Sequence, residues 1–228
     1  MGRRPLVSCS ALSRIPLGTI LTNVNIAVTM SPSGKDSALG ASPMGSVREY
    51  FDQVAPQWEQ LRQGYFTEQV REEVVRRVAP HPGMRVADVG CGTGFLAEAF
   101  APLVAQVECL DASAGMLAQA RERLKGSANL RFQQADGANL PLPTGSVDAA
   151  VANMYLHHAP DPALALAEMA RILKPGGRLV LTDMDQHAEE WMREEMADIW
   201  LGFPRQLVHQ WLEDVGLEQV CVEDCGST

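Results

Sequence analysis

The residues best suited to chemistry stand in one short segment, Asp88–Phe95, where three glycines alternate with other residues. Gly90, Gly92 and Gly94 follow an apolar run typical of a buried strand, and a helical pattern begins directly after them. Glycine permits a tight turn and lets a ligand approach the backbone closely. The first N–H groups of a helix are unpaired and can bind that ligand. The segment therefore predicts a ligand-binding loop, with Cys91 inside it, rather than a plain turn.

Asp88 narrows the kind of ligand that this loop suits. Residues 92–97 fit the G-x-G-x-x-A pattern of dinucleotide sites, so a nicotinamide (NAD)-dependent oxidoreductase is one alternative. Asp88, however, lies two residues before the first glycine, where its negative charge would repel a pyrophosphate in the same pocket. A carboxylate there favours a ligand with a positive group, such as the ammonium and sulfonium of S-adenosylmethionine.

Two further acids follow the next two predicted strands. Asp111 stands 21 residues after Gly90, at a strand end where a carboxylate can accept hydrogen bonds from both ribose hydroxyls. Nicotinamide and adenosylmethionine sites share this feature, so Asp111 does not distinguish them. Asp136 also ends a strand and could accept a hydrogen bond from an adenine amino group. Asp136 and Gly137 are equally a common pair in turns.

Alternating strand and helix patterns surround these residues and must position them. Strands are predicted at 85–89, 106–110, 130–134, 147–152, 178–183 and 217–222. Helices are predicted at 47–62, 68–78, 95–100, 114–124, 162–172, 188–200 and 205–215, the first with Ser46 as its N-cap. Repeated strand–helix units predict an α/β fold, a doubly wound and mostly parallel Rossmann-like sheet with helices on both faces.

Several segments together resemble the class I S-adenosylmethionine-dependent methyltransferases over about residues 45–225. The matching segments are 88–94 (Asp-Val-Gly-Cys-Gly-Thr-Gly), 110–117, 135–143, 146–158 and 173–179 (Leu-Lys-Pro-Gly-Gly-Arg-Leu). Each motif alone is moderately specific, and the set is highly specific for the superfamily. The resemblance implies transfer of a methyl group from S-adenosylmethionine to a small-molecule acceptor.

The same resemblance implies roles for individual residues. Asp88 would bind the amino-acid end of the cofactor, Asp111 the ribose and Asp136 the adenine. Tyr50 would either cover the cofactor from the first helix or pack within that helix. The remaining residues expected to contact the cofactor are Gly90, Cys91, Gly92, Gly94, Ala112, Met116, Gly137, Ala138, Asn153 and Met154.

Two segments indicate a subgroup. Residues 50–58 resemble the opening helix of the ubiquinone/menaquinone-biosynthesis-like group. Residues 183–203 resemble methyltransferase domains fused to ArsR-type repressors. Arsenite methyltransferases resemble this fold as well, and thiolates such as those of Cys221 and Cys225 suit a soft metalloid. An arsenite or other metalloid methyltransferase is therefore an alternative, although Cys221 also fits the core side of a strand.

The catalytic candidates follow the fourth and fifth of the predicted strands. Methyl transfer from a sulfonium is a direct displacement, so the protein mainly aligns the reacting atoms. A base is needed only when the acceptor arrives protonated. Open α/β sheets bind ligands at the carboxyl ends of their strands, where His157, His158 and Asp183 lie. The two histidines could equally cap the loop before Pro160, and no metal site is expected.

The end of the chain departs from the family pattern. Members usually finish with two strands after the last helix, the final one antiparallel, whereas only 217–222 is evident here. A sheet that lacks this strand exposes an edge, which a second subunit of a homodimer or the N-terminal tail could cover. The missing strand and the lack of a clear base keep a non-catalytic cofactor-binding regulator as another alternative.

Composition sets the wider limits. The 228 residues are 46% hydrophobic and carry a net charge of −9, which suits a domain with a large core and disfavours a nucleic-acid partner. No apolar run is long enough to span a membrane. Five scattered cysteines favour a reducing, cytoplasmic location. Residues 1–43 are predicted to be a mobile extension before one methyltransferase domain at 44–228, with organelle import by these basic residues as the alternative.

Overall fold

The centre of the protein is a parallel sheet, seen in a computed structural model that describes residues 19–22, 46–64 and 67–225. Its strands are β1 (Thr19–Thr22), β2 (Arg85–Val89), β3 (Gln106–Asp111), β4 (Leu130–Gln134), β5 (Val147–Asn153), β6 (Leu173–Asp183) and β7 (Cys221–Glu223). Their order is β4-β3-β2-β5-β6-β1-β7, and every described strand pair is parallel. The predicted α/β class is confirmed.

Helices cover both faces of this sheet. They are α1 (Val47–Val54), α2 (Trp58–Leu61), α3 (Glu68–Val78), α4 (Phe95–Phe100), α5 (Ala114–Arg123), α6 (Pro162–Ile172), α7 (Trp191–Glu195) and α8 (Arg205–Asp214). Side chains alternate between the faces of a strand. Val86 of β2 accordingly packs with α3 and α4, whereas Ala87 and Val89 pack with α6 and α8. In the described parts of the chain, no helix is long and apolar enough to cross a membrane.

The strand β1 belongs to the stretch predicted as an N-terminal extension. It pairs with Val180–Asp183 of β6 on one side and with Cys221–Glu223 of β7 on the other. The described sheet therefore has no antiparallel strand, and four residues of the extension stand between β6 and β7. The proposed boundary between residues 43 and 44 stays a prediction.

Four predicted elements are wrong in extent. The strand expected at 178–183 already begins at Leu173. The other three are shorter than expected or divided. The helix expected at 47–62 is divided, because Pro56 lies in a 3-10 turn that separates α1 from α2. The helix expected at 188–200 is only α7, and Ala197, just beyond it, has a left-handed backbone with φ 59°. The strand expected at 217–222 is only β7, since Gln219 also has a positive φ, 56°.

Candidate functional site

A cavity of about 1030 Å³ opens at the carboxyl ends of β2, β3, β4 and β5. This edge is where open α/β sheets bind their ligands. The acidic and glycine residues at the strand ends line one part of the cavity. Phe51 of α1, Trp58 of α2 and Ile199, which follows α7, line it as well. The cavity therefore joins a polar region with an apolar, partly aromatic one.

The glycine loop has the backbone that the sequence predicts. Gly90, Gly92 and Gly94 all have positive φ angles, 68°, 52° and 89°, which glycine adopts without strain. The N–H groups of Gly90 and Cys91 donate to the carbonyl of Leu110 in β3, at 2.8 and 3.0 Å. These bonds tie the loop to the neighbouring strand, so its position in the cavity is fixed by the sheet.

Asp88, at the penultimate position of β2, is buried and lines the cavity. Its Oδ2 accepts a hydrogen bond from the N–H of Ala97 in α4, at 3.0 Å. Burial raises the pKa of Asp88 to about 7, although the bond from Ala97 lowers it, and the charge of Asp111 raises it further. A cation bound in the cavity would favour the ionised form of this carboxyl group.

Asp111, the last residue of β3, is hydrogen-bonded to the glycine loop and to the turn before α5. Its Oδ2 accepts the N–H of Gly92 at 2.7 Å and its Oδ1 accepts the N–H of Ser113 at 2.8 Å. Burial raises the pKa of Asp111 to about 6, against the lowering effect of these two bonds. Each carboxylate oxygen has a second lone pair. The group can therefore accept further hydrogen bonds from a ligand.

Tyr155, a candidate from the segment after the fourth predicted strand, lines the cavity. A side chain at Gly90 would overlap its ring, and one at Gly137 would overlap its hydroxyl group, with Cζ only 2.7 Å away. Both positions must therefore be glycine while Tyr155 occupies this place. Burial raises the pKa of Tyr155 well above its ordinary value, and the charges of Asp136 and Asp111 add to this effect. Its phenol thus stays protonated between the two acids.

The helix α1 is attached to the rim of the cavity by side-chain hydrogen bonds. Ser46 and Glu49 form a capping box, in which each side chain accepts the backbone N–H of the other residue. Asp52 Oδ1 accepts the hydroxyl of Ser113 at 2.6 Å and the N–H of Gly115 at 2.8 Å. These two bonds lower the pKa of Asp52. They hold α1 against the start of α5, beside Asp111.

The structure brings most of the predicted cofactor residues together. Eleven of the fourteen line the cavity: Asp88, Gly90, Cys91, Gly92, Asp111, Ala112, Met116, Asp136, Gly137, Asn153 and Met154. Tyr50 does not line the cavity. It packs edge-to-face against Phe51, and Phe51 occupies the place in the cavity wall that was expected for Tyr50. Gly94 is the N-cap of α4, and Ala138 donates its N–H to Asp136 Oδ1 at 2.9 Å. Gly94 and Ala138 therefore lie outside the cavity lining and support the segments that form it.

The three catalytic candidates also meet, but only one of them lines the cavity. His157 Nδ1 lies 2.8 Å from Asp183 Oδ1, and both side chains are buried behind the wall. Burial lowers the pKa of His157, but the charge and hydrogen bond of Asp183 outweigh it and raise the value. His158 lines the cavity, and burial together with His157 holds its pKa well below the ordinary range. Their catalytic role stays a prediction.

Comparison with known proteins identifies the family of this chain. Residues 87–181 match a family model described as a methyltransferase domain. Demethylmenaquinone methyltransferase of Desulfitobacterium hafniense is 30% identical over 209 residues, which cover 83% of this chain and 79% of the relative. The chain belongs to the class I S-adenosylmethionine-dependent methyltransferases. Its relatives place it with the ubiquinone/menaquinone-like group, and S-adenosylmethionine is the cofactor of the family.

Two further comparisons define the extent of the likeness. The chloroplastic 2-methyl-6-phytyl-1,4-hydroquinone methyltransferase of Arabidopsis thaliana is 29% identical over 170 residues, covering 73% of this chain. This chain spans 50% of that relative's length. A methyltransferase solved with the Haloferax volcanii Trm112 activator has a TM-score of 0.65 at 24% identity, covering 73% of this chain and 75% of that one. That structure shares the fold.

The four cysteines that the structure describes do not form a thiol site in the cavity. Cys221 and Cys225 are buried at and after β7, away from the cavity lining. Of the cysteines that the structure describes, only Cys91 lines the cavity. The described residues therefore offer a soft metalloid one thiol at most in this place. The likeness to ArsR-fused domains stays a prediction.

Proposed function

We propose that this chain transfers the methyl group of S-adenosylmethionine to a small hydroxylated aromatic molecule, of the hydroquinone or phenol class. One observation carries the proposal. The strand-end carboxylates and the glycine loop line the same cavity as a wall of aromatic side chains. One part of the cavity suits a charged, polar cofactor, and the adjoining part suits a flat apolar ring with few polar groups.

The cofactor would bind across the ends of β2, β3 and β4. Asp111 has lone pairs left for the two ribose hydroxyls after its bonds to Gly92 and Ser113. Asp88, ionised in the presence of a cation, would bind the ammonium group. Asp136 lies beside Gly137 at the next strand end, where the adenine would lie. Gly90, Gly92 and Gly94 carry no side chains, so the cofactor could lie close to the backbone of the loop.

The acceptor would bind between α1 and the segment after β5. The ring of Phe51 packs edge-to-face against Trp58, with ring centres 5.4 Å apart, and against His158, at 4.8 Å. Aromatic side chains favour such offset contacts and would bind an aromatic acceptor in the same way. His158 is the polar group of this wall, so the acceptor's hydroxyl would face it. The names of the two relatives, a hydroquinone and a demethylmenaquinone methyltransferase, agree with this class.

The reaction requires chiefly alignment. S-adenosylmethionine, when bound, would supply a methyl group on a positively charged sulfur, which would depart as a neutral thioether as the acceptor's nucleophile takes the methyl group. Holding the two molecules in adjoining parts of one cavity converts an encounter in solution into a reaction within one complex. An ionised phenol or hydroquinone reacts without a further base, whereas a protonated one must first lose its proton.

The test is a transfer assay with S-adenosylmethionine labelled in its methyl group. Hydroquinones, phenols, carboxylates, amines and arsenite are compared as acceptors, with Asp111→Ala as the inactive control and Asp148→Asn, a change outside the cavity, as the active one. We expect label in the hydroxylated aromatic products alone. Label confined to amines, carboxylates or arsenite would overturn the proposed acceptor. Thermal stabilisation by NAD but not by S-adenosylmethionine would overturn the proposed cofactor.

A further inference from the structure

A group of buried polar side chains lies behind His158, and the alignment of cofactor and acceptor does not use it. Asp198, in the segment between α7 and α8, is only 5% exposed. Neither of its carboxylate oxygens has a hydrogen-bond partner among the residues that the structure describes. A buried carboxylate without a partner is costly, so such a group indicates a missing cation or donor.

The nearest candidates for that contact are two imidazole nitrogens. His157 Nε2 and His158 Nδ1 each lie 3.8 Å from Asp198 Oδ1. One atom from each of the three side chains lies within 4.8 Å of the others. A distance of 3.8 Å is too long for a hydrogen bond. Ligand atoms of a tetrahedral ion with bonds of about 2.0–2.2 Å are roughly 3.3–3.6 Å apart, so the two contacts to Asp198 would have to shorten by a few tenths of an ångström.

Asp183 prepares His157 to bind an ion. Its Oδ1 lies 2.8 Å from His157 Nδ1, and it is itself fixed by the N–H groups of Leu156 and Met184, at 2.7 and 2.8 Å. In the neutral imidazole Nδ1 therefore carries the proton, and the lone pair of Nε2, 3.8 Å from Asp198 Oδ1, is the one that could bind an ion. Histidine ligands of metal ions characteristically donate their other N–H to a carboxylate in this way.

His158 needs one small rearrangement. Its Nδ1 lies 3.3 Å from the carbonyl oxygen of Ala197, beyond the usual range of a strong hydrogen bond. Binding an ion through Nδ1 requires that this weak contact be given up. His158 lines the cavity, as does Ile199, the residue after Asp198. The three side chains thus meet directly beside the acceptor part of the cavity.

The types of the ligands define the ion. Two imidazole nitrogens and one carboxylate suit zinc and other first-row transition ions, whereas magnesium and calcium prefer oxygen ligands.

From this geometry we infer that His157, His158 and Asp198 bind one zinc ion at the wall of the acceptor pocket, with Asp183 as the positioning residue. Three protein ligands leave a fourth position, as in zinc sites that bind a reactant. The inference deepens the proposed function, on which its role rests, because a zinc ion there would bind the acceptor's hydroxyl oxygen and favour its ionisation. His158 would then be a metal ligand rather than a base, and the ion is one that the sequence did not lead us to expect.

The test is a titration of the full chain, freed of metal by a chelator, with Co²⁺ as the spectroscopic substitute for zinc. We expect one equivalent to bind with the visible absorption of a tetrahedral site, and Zn²⁺ but not Mg²⁺ to displace it. Neither cofactor nor acceptor is present, so the result is independent of methyl transfer. Wild-type protein that binds no Co²⁺, or releases it to Mg²⁺, would overturn the inference without any variant.

Variants then locate the ion. Asp198→Asn and His158→Gln should abolish the absorption, and Asp183→Asn should weaken binding about 10- to 100-fold, the usual effect of losing an outer hydrogen bond. The matched control is His209→Gln, in which a surface histidine of α8 is changed in the same way. Circular dichroism checks that each variant is folded. Binding that is unchanged in folded Asp198→Asn and His158→Gln would place the metal elsewhere and contradict the assignment.

Discussion

Asp88→Asn tests the electrostatics of the cavity most directly through protein stability. In the folded chain Asp88 is buried, and its pKa is raised from 3.8 to about 7. Asparagine keeps the shape and can still accept the N–H of Ala97, but it does not titrate. The comparison of the two proteins therefore isolates the cost of ionising a buried carboxyl group.

The sign and size of the effect follow from linkage. A carboxyl group whose pKa is raised by folding stabilises the protein fully below 3.8, and this contribution is lost as the pH rises through about 7. The difference between a pKa of 3.8 and one of about 7 corresponds to about 4 kcal/mol. The free energy of unfolding of the wild type should therefore fall by about 4 kcal/mol relative to Asp88→Asn between pH 4 and pH 8.

The assay is urea unfolding of both proteins from pH 3 to pH 8, followed by tryptophan fluorescence. Asp148→Asn is the control of opposite sign. Partial burial opposes the shift at Asp148, but hydrogen bonds from Lys174 and the N–H of Arg85 lower its pKa. The stability that Asp148 adds to the folded protein should therefore be lost only as the pH falls below 3.8. A constant difference between wild type and Asp88→Asn across the range would refute the reasoning about Asp88.

Three further changes test other parts of the site. Gly137→Ala should greatly weaken cofactor binding in calorimetry, because the new Cβ overlaps the hydroxyl of Tyr155. Adding Tyr155→Phe to the same chain should restore part of the cofactor affinity. A double variant that binds no better than Gly137→Ala would contradict the overlap with Tyr155. Ser46→Ala should lower the free energy of unfolding by about 1 kcal/mol through loss of the N-cap, and an unchanged urea midpoint would count against the capping box. Cys221→Ser with Cys225→Ser should leave labelled-methyl transfer unchanged, whereas selective loss of arsenite methylation would revive the metalloid alternative.

The sequence predicts well those features that are local. The strand before the glycine loop, the loop itself and the helix after it follow from neighbouring residues, and their bounds are confirmed at 85–89 and 95–100. Asp111 and Asp136 are found in the cavity because each follows a strand of the same parallel sheet. The regular alternation of strands and helices in the sequence is therefore enough to predict where the polar part of the site lies.

Features made by distant segments are not predictable in this way. Asp198 lies 41 residues after His157, and no spacing rule connects them. Tyr155 lines the cavity because the chain after β5 turns back over Gly90 and Gly137, which depends on tertiary packing. The strand β1 has no strong local pattern, and its pairing with β6 joins residues about 160 positions apart in the chain. The turn at Ala197 similarly overrides a helical pattern.

We propose that the cavity at the ends of β2 and β3 is the S-adenosylmethionine site, with Asp111 at the ribose. Calorimetric titration of wild type and Asp111→Ala with S-adenosylmethionine tests it most directly, with Asp148→Asn as the control outside the cavity. We expect the affinity of Asp111→Ala to be about 10- to 100-fold weaker, the effect of losing hydrogen bonds to a charged group, and the affinity of the control to equal that of the wild type. Equal affinity for wild type and Asp111→Ala would contradict it.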